Sequence, residues 1–205
     1  MTPCTITADI KESKKLKKRA RIQERLKKSL NEINKKYHSE LIAGFMITLG
    51  DEFQGVLKTP SCWYDVVLDL QEKLEFDIYY GIGVGSIDTE FSSKSTEMDG
   101  PSFHRSREAL EEAKRLKRRI VIKTGGDDTI INVILALMEA IKEGWTQRQK
   151  EIITFYRRHR GLSYEKIAEN YGVTKQAISK ILHAAHWNII TEAEDCIRKL
   201  SNKNG

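Results

Sequence analysis

The sequence predicts an α+β domain followed by an all-helical domain. Strand-like and helix-like segments alternate up to residue 122, whereas every segment predicted after residue 128 is helical. A Gly-Gly-Asp-Asp run at 125–128 separates the two regions and is typical of a linker. We therefore expect one domain over residues 1–126 and a second over 127–205, since 205 residues suffice for two small domains.

The N-terminal part of the first domain combines a strand, a basic helix and a hairpin. Residues 5–10 are mostly β-branched or small and predict a short strand. Apolar residues at three- and four-residue steps predict an amphipathic helix from Leu16 to Tyr37, whose other faces are nearly all Lys and Arg. Two apolar runs flank the Gly-Asp-Glu sequence at 50–52, and this arrangement predicts a tight hairpin.

The remaining elements complete a β-α-β-β-α-β order with a further helix and strand. In the first domain they are a helix from Ser61 to about Leu74, a strand from Phe76 to Val84, a polar loop over 86–98, a helix from about Ser102 to Leu116 and a strand over 120–122. This order favours a ferredoxin-like fold whose sheet is covered mainly on one side. The helices expected after residue 128 cover 130–142, 147–158, 164–169 and 175–186.

The composition argues against a membrane or secreted protein. No apolar run approaches the roughly 18 residues that cross a bilayer. The first residues lack the basic and apolar regions of a secretion signal. The three cysteines are scattered and form no Cys-x-x-Cys pair, which is typical of a reducing compartment. We expect a soluble, cytoplasmic protein without a membrane partner.

The net charge of +6 is distributed unevenly along the chain. Residues 11–36 carry twelve basic and three acidic side chains, whereas residues 38–113 carry five basic and fifteen acidic ones. Residues 146–205 are basic again, with a net charge of +5. Basic segments favour a polyanionic partner, and the acidic middle favours bound cations. The first basic segment could equally be only a solvated helix face.

Residues 163–183 have the residue spacing of a helix-turn-helix. Ala168 provides the small residue where two helices approach closely, and Gly172 tolerates the positive φ that the turn requires. Thr174 can cap the second helix, and apolar residues follow at the offsets that close the corner. The motif resembles region four of sigma factors. The alternative is a helical pair that packs against another protein.

In such motifs the second helix enters the major groove of DNA. The side chains that would face base edges are Lys175, Gln176, Ser179, Lys180 and His183. Those that would contact phosphates are Arg157, Arg158, Arg160 and Lys166. The sequence therefore predicts DNA as a partner. Since such proteins commonly read two half-sites, we also expect a homodimer.

Three carboxylates are expected to converge in the first domain. Asp9 ends the first strand, and Asp51 and Glu52 lie at the hairpin tip, which the predicted topology brings beside that strand. Clustered carboxylates suit Mg²⁺ or Mn²⁺, hard cations that prefer oxygen ligands. The alternative is that Gly-Asp at this place is ordinary turn chemistry.

The hairpin and two further passages resemble known families. Residues 48–55 look like the G-D-E-F hairpin of diguanylate cyclases and the equivalent hairpin of class III nucleotide cyclases, and residues 80–85 are similar to a glycine-containing strand of those families. Residues 8–13, 48–55 and 98–105 together resemble the SatD family, over about residues 5–190. The cyclase resemblance implies that Asp9 and Asp51 bind metal.

The chain also departs from the cyclase pattern. Where class III cyclases place Asn and Arg after a glycine, His104 and Glu108 stand here, and Leu49 replaces the second glycine of the diguanylate cyclase hairpin. These departures put cyclase turnover in doubt and leave nucleotide binding open. The residues that we expect at a nucleotide or phosphate are Lys11, Ser13, His104, Arg105 and Arg107. A polar helix start is the alternative for the last three.

Three functions remain open from the sequence. The first is a DNA-binding transcriptional regulator whose N-terminal domain binds metal or nucleotide or mediates dimerisation. The second is a metal-dependent nucleotidyl cyclase or transferase with an attached DNA-binding domain. The third is an interaction protein in which the N-terminal domain has no activity. We favour the first, because the 163–183 motif has the more specific residue spacing.

Overall fold

The computed structural model describes residues 1–11, 19–74, 76–159 and 161–203. Its strands are β1 (Cys4–Ile10), β2 (Leu41–Leu49), β3 (Glu52–Leu57), β4 (Ile78–Val84) and β5 (Ile120–Lys123). Its helices are α1 (Arg19–Lys36), α2 (Trp63–Lys73), α3 (Pro101–Leu116), α4 (Thr129–Glu143), α5 (Gln147–Arg158), α6 (Tyr164–Tyr171), α7 (Lys175–Ala184) and α8 (Trp187–Lys203). The mixed α+β architecture is thus confirmed, and α8 is a helix that the sequence analysis did not predict. The predicted start of the first helix, Leu16, lies outside the described residues.

The five described strands form one sheet in the order β2-β3-β1-β4-β5. The strand β1 is antiparallel to both β3 and β4, and β3 is antiparallel to β2. Consequently β1 and β2 run parallel with β3 between them, while β3 and β4 run parallel with β1 between them. These are two interleaved split β-α-β units, the arrangement expected for a ferredoxin-like sheet. The strand β5 then extends the sheet parallel to β4.

Helix α3 lies directly against one face of the sheet. Thr5 Oγ1 donates to Ser102 Oγ at 3.0 Å, and the hydroxyls of Thr7 and Ser106 are 2.9 Å apart. Gly83 of β4 faces the α3 backbone so closely that a methyl group there would overlap the Ser102 carbonyl. Because glycine has no side chain, β4 and α3 can approach each other closely at this position.

The opposite face of the sheet is buried as well. Its β1 side chains, Cys4, Ile6 and Ala8, have no exposed surface. Helices α1 and α2 contact each other, and they contact β2 and β4 respectively. The sheet is therefore covered on both faces, and the expectation of a sheet covered mainly on one side was wrong. The difference arises because α3 packs on the face that carries Thr5 and Thr7.

An asparagine side chain pairs with the backbone of each outer strand. Asn34 of α1 accepts from Phe45 N at 2.7 Å and donates to Phe45 O at 3.0 Å in β2. Asn132 of α4 does the same for Ile122 of β5, with both bonds at 2.9 Å. Each carboxamide replaces the peptide group that a further strand would supply. The two edges are thereby protected against pairing with another chain.

The chain divides into two compact units. The first comprises Met1–Ala136 and Ile197–Gly205, and the second comprises Leu137–Cys196. This differs from the predicted boundary at residue 126, because Asn132 ties the first part of α4 to β5. The end of α8 also belongs to the first unit, since Trp63 Nε1 donates to Ser201 Oγ at 2.7 Å.

The second unit has its own apolar and charged interior. Apolar side chains from α5 to α8 form its buried centre, namely Ile152, Ile153, Ile167, Ile178, Leu182 and Ile190. Beside them, Glu194 forms an ion pair with Arg157 and lies 3.6 Å from Lys142 Nζ. Burial lowers the pKa of Lys142 to about 8, while the Glu194 charge acts in the opposite direction. These paired charges link α4, α5 and α8 within this unit.

We predict that Gly83→Ala destabilises the first unit by about 3 kcal/mol, because the added methyl group would force α3 away from β4. Chemical denaturation measures the loss. Gly126→Ala is the matched control, since a methyl group there would meet only Thr124 Oγ1, at 3.6 Å. Equal stability of the two variants would show that α3 does not depend on the glycine contact.

We predict that Asn132→Ala increases self-association, because Ile122 in the edge strand then loses both of its bonds to the carboxamide. Size-exclusion chromatography with light scattering measures the change. Asn31→Ala, at an exposed position of α1, is the control. An unchanged mass distribution for Asn132→Ala would contradict the role of this side chain in protecting the edge.

Candidate functional site

Asp9, Asp51 and Glu52 come together at one end of the sheet. Asp9 and Glu52 are direct partners in the antiparallel register of β1 and β3 and therefore point to the same face. Asp51 precedes Glu52 in the turn that joins β2 and β3. The face is the one that carries α3. We call these residues, with the three α3 side chains Arg107, Glu111 and Lys114, the carboxylate cluster.

Asp9 is paired with a lysine of α3. Lys114 Nζ lies 2.7 Å from Asp9 Oδ2 and 3.2 Å from Glu111 Oε1. Burial is the main cause that raises the pKa of Asp9, and the neighbouring Asp51 carboxyl raises it further, while Lys114 acts in the opposite direction. Burial also opposes the charge on Lys114, yet the bonds to Asp9 and Glu111 leave its pKa raised. Contact with Asp9 and Glu111 therefore favours the charged form of Lys114, whereas burial and Asp51 disfavour the charged form of Asp9.

Glu52 is held by two different donors. Arg107 reaches both of its carboxylate oxygens, with 3.0 Å between Nη2 and Oε1. Thr48 Oγ1 donates to Oε1 at 2.9 Å. The bond to Glu52 is the main cause that raises the pKa of Arg107. A largely buried carboxylate that is bonded through both oxygens to one arginine is fixed in position.

The cluster does not fit a divalent metal ion as it is arranged. Asp9 Oδ2 and both carboxylate oxygens of Glu52 already bind cations of the chain itself. Within the described ranges no group of three or more His, Cys, Asp or Glu side chains is placed to hold a metal. The expectation of a Mg²⁺ or Mn²⁺ site at these three residues is therefore not met by the geometry.

Of the predicted phosphate-binding residues that the structure describes, Arg107 belongs to the carboxylate cluster and the others have different neighbours. Lys11 Nζ lies 5.4 Å from the centre of the Tyr79 ring. His104 Nε2 lies 3.1 Å from Asp99 Oδ1, and both side chains are exposed. Arg105 Nη1 donates to two backbone carbonyls, Val84 O at 2.6 Å and Thr124 O at 2.9 Å. Ser13 lies outside the described residues.

Arg105 therefore has a structural role that the sequence did not indicate. Its guanidinium joins the end of β4 to the segment that follows β5, and it lies against Gly125. A cleft of about 600 Å³ borders this arginine, between α3, β5 and the start of α4. The cleft is lined by both signs of charge, including Glu108, Glu112 and Lys123.

Lys114 and Glu111 are members of the cluster that sequence analysis missed. Arg107, Glu111 and Lys114 follow one another at four- and three-residue steps, so they share one face of α3. That spacing was a usable signal. The contact of Lys114 with Asp9 depends on the position of α3 on the sheet, which the spacing alone does not indicate.

The second unit presents a polar face of α7 to solvent. Ser163 caps α6, Gly172 ends it with φ 62°, and Thr174 caps α7 by accepting from Ala177 N. Gly172 and Thr174 thereby fix a short turn between the two helices. Ile178 and Leu182 bury the other side of α7. The exposed residues of α7 include all five that were predicted to face base edges: Lys175, Gln176, Ser179, Lys180 and His183.

The predicted phosphate contacts have different environments. Lys166 and Arg158 are exposed. Arg157 instead forms the ion pair with Glu194, and its guanidinium lies 4.6 Å from the Trp187 ring centre. We assign Arg157 to the interior of the second unit rather than to a surface. Arg160 lies outside the described residues.

The chain belongs to the SatD family. The SatD family model matches residues 4–200, which is nearly the whole chain. No curated protein matches the sequence. The described residues include no helix with the length and apolar character needed to span a bilayer.

The solved structures that resemble part of the chain include two nucleotide cyclases. A bacterial light-regulated adenylyl cyclase is 13% identical, with a TM-score of 0.47 over 59% of this chain and 74% of that one. The catalytic core of a rhodopsin-guanylyl cyclase with converted specificity, in complex with ATPαS, is 14% identical, with a TM-score of 0.40 over 54% and 71%.

Proposed function

We propose that the protein binds DNA through the exposed face of α7 and acts as a transcriptional regulator. The observation that carries this proposal is the surface of α7, where five exposed polar or basic side chains share one side of the helix. Positions 175, 176, 179, 180 and 183 recur at helical spacing, so one groove could be contacted by all of them.

The local geometry supports insertion of the first turns of α7. The cap at Thr174 and the αL residue Gly172 keep the chain before α7 short and tightly turned. Gln176 can bond adenine edges, and Lys180 can bond guanine edges or phosphates. The start of a helix also carries partial positive charge that favours phosphate oxygens.

The electrostatics of the surface also support a polyanion. Lys175 Nζ lies 2.5 Å from Glu165 Oε1, and both side chains are about half exposed. An exposed ion pair contributes little to stability, so Lys175 can exchange this partner for a phosphate at small cost. Lys166, which follows Glu165 in α6, is exposed as well. In this proposal the protein acts as a homodimer on two half-sites, and its first unit binds a ligand or mediates dimerisation.

We predict that full-length protein binds a mixed-sequence DNA duplex with an affinity that falls steeply as salt rises. The double variant Lys175→Ala/Lys180→Ala should reduce the slope of log affinity against log salt by about one to two, since each lysine that contacts a phosphate contributes about one. Fluorescence anisotropy at several salt concentrations measures both quantities.

Lys199→Ala is the matched control, because Lys199 is an exposed lysine of α8 distant in sequence from the α7 surface. Its salt slope should equal that of the wild type. No salt-dependent affinity at about 50 mM salt would contradict the proposal and favour a helical pair that packs against protein. An unchanged slope in the double variant would place the DNA contact elsewhere.

A second candidate function is that of a metal-dependent nucleotidyl cyclase or transferase. The observation that favours it is the convergence of Asp9, Asp51 and Glu52 at one end of the sheet, beside Arg107 and Lys114 of α3. The test is release of pyrophosphate from each nucleoside triphosphate, with Mg²⁺ or Mn²⁺ added, and Asp51→Ala as the control. Release that disappears in the variant would support an enzyme. Absence of release from wild type would remove this candidate.

A further inference from the structure

Two acidic side chains of the sheet in the carboxylate cluster each bind a basic side chain of α3. Arg107 binds Glu52, and Lys114, seven residues later on α3, binds Asp9. Glu111 lies between them in sequence and binds Lys114 as well. Since residues seven apart share a face of a helix, α3 presents two fixed cations to two carboxylates of the sheet.

The helix that carries these cations cannot easily move away from the sheet. The hydroxyl contacts of Ser102 with Thr5 and of Ser106 with Thr7 are buried. Gln54 Nε2 also donates to Thr7 Oγ1, at 2.9 Å, and this bond joins β3 to the same network. Lys114 can therefore leave Asp9 only by rotation of its own side chain, without displacement of α3.

We infer that Lys114 is a tethered cation that occupies the Asp9 carboxylate and keeps divalent metal ions from binding between Asp9 and Asp51. The ammonium nitrogen, 2.7 Å from Asp9 Oδ2, already makes the contact that a metal ion would make. A divalent ion at Asp9 would have to displace this nitrogen or lie within a few ångströms of it, where like charges repel.

Asp51 shows why removal of the lysine would open a site. The Asp51 carboxyl lies near enough to raise the pKa of Asp9, so the two groups form a close acidic pair. Lys114 supplies one positive charge to that pair. Without the lysine, two partly accessible carboxylates would face each other with no cation bonded to Asp9, since Arg107 is bonded to Glu52 and acts on Asp9 only through its charge. Oxygen ligands so arranged suit Mn²⁺.

The experiment is titration of the full-length protein with Mn²⁺ alone, followed by calorimetry and by the electron paramagnetic resonance signal of free Mn²⁺. Lys114→Met should bind Mn²⁺ at least about ten-fold more tightly than the wild type, because the competing charge is gone. Lys117→Met, which removes a lysine at an exposed position three residues later, is the matched control and should bind like the wild type.

Further variants keep the test decisive. Adding Asp9→Asn to Lys114→Met should remove the gained affinity, because the site would lose one of its two carboxylates. Lys114→Gln replaces Lys114→Met if thermal denaturation shows that the latter does not fold. The inference is overturned if wild type already binds Mn²⁺ as tightly as the Lys114 variant, or if neither Lys114 variant binds more tightly than wild type. These measurements use no DNA, so their failure would leave the proposed function of α7 unaffected.

Discussion

The contact between α3 and the glycines of β4 is the constraint on which the rest of the first unit depends. Gly81 and Gly83 have no side chain to separate strand from helix, so the α3 backbone lies against the sheet. Hydroxyl groups of β1 and α3 then meet within the buried contact and satisfy one another. Because α3 is fixed in this way, Arg107 and Lys114 are delivered to the end of the sheet where the acidic residues lie. A larger residue in β4 would change both the fold and the charge of that region.

The same contact places a basic side chain of α3 against two of the three carboxylates at this end of the sheet. Clustered acids repel unless a cation or protons compensate them. Here the compensation is internal: Arg107 neutralises Glu52 with both carboxylate oxygens engaged, and Lys114 neutralises Asp9. The charge balance of the carboxylate cluster therefore depends on the basic side chains of α3 as much as on the acidic side chains of the hairpin. In the second unit a comparable solution appears in the interior, where Arg157 and Lys142 compensate Glu194. There the charges stabilise packing, whereas the basic side chains of α7 remain at the surface.

Local sequence predicted much of this structure, and long-range packing accounts for what it did not predict. The strand at 5–10, the hairpin at 50–52 and the helices α2, α3, α5 and α7 follow from patterning and turn residues that act over short distances. The convergence of Asp9 with Glu52 also followed from strand order. By contrast, the second covered face of the sheet, the Asn132 carboxamide on β5 and the partnership of Lys114 with Asp9 join residues distant in sequence. Arg157 was expected to contact DNA phosphates because it lies close to the 163–183 motif in sequence, but it forms an ion pair with the buried Glu194.

The proposed contact between the exposed face of α7 and DNA is tested most directly by hydrogen–deuterium exchange. The exchange of the full-length protein is measured with and without a DNA duplex. Amides at the start of α7, around Lys175 to Lys180, should exchange more slowly when DNA is bound, because groove contacts and the buried turn would restrict opening. Amides in the strands of the first unit should exchange at the same rate with and without DNA. Protection that appears only outside α6 and α7, under conditions where DNA is bound, would contradict the account.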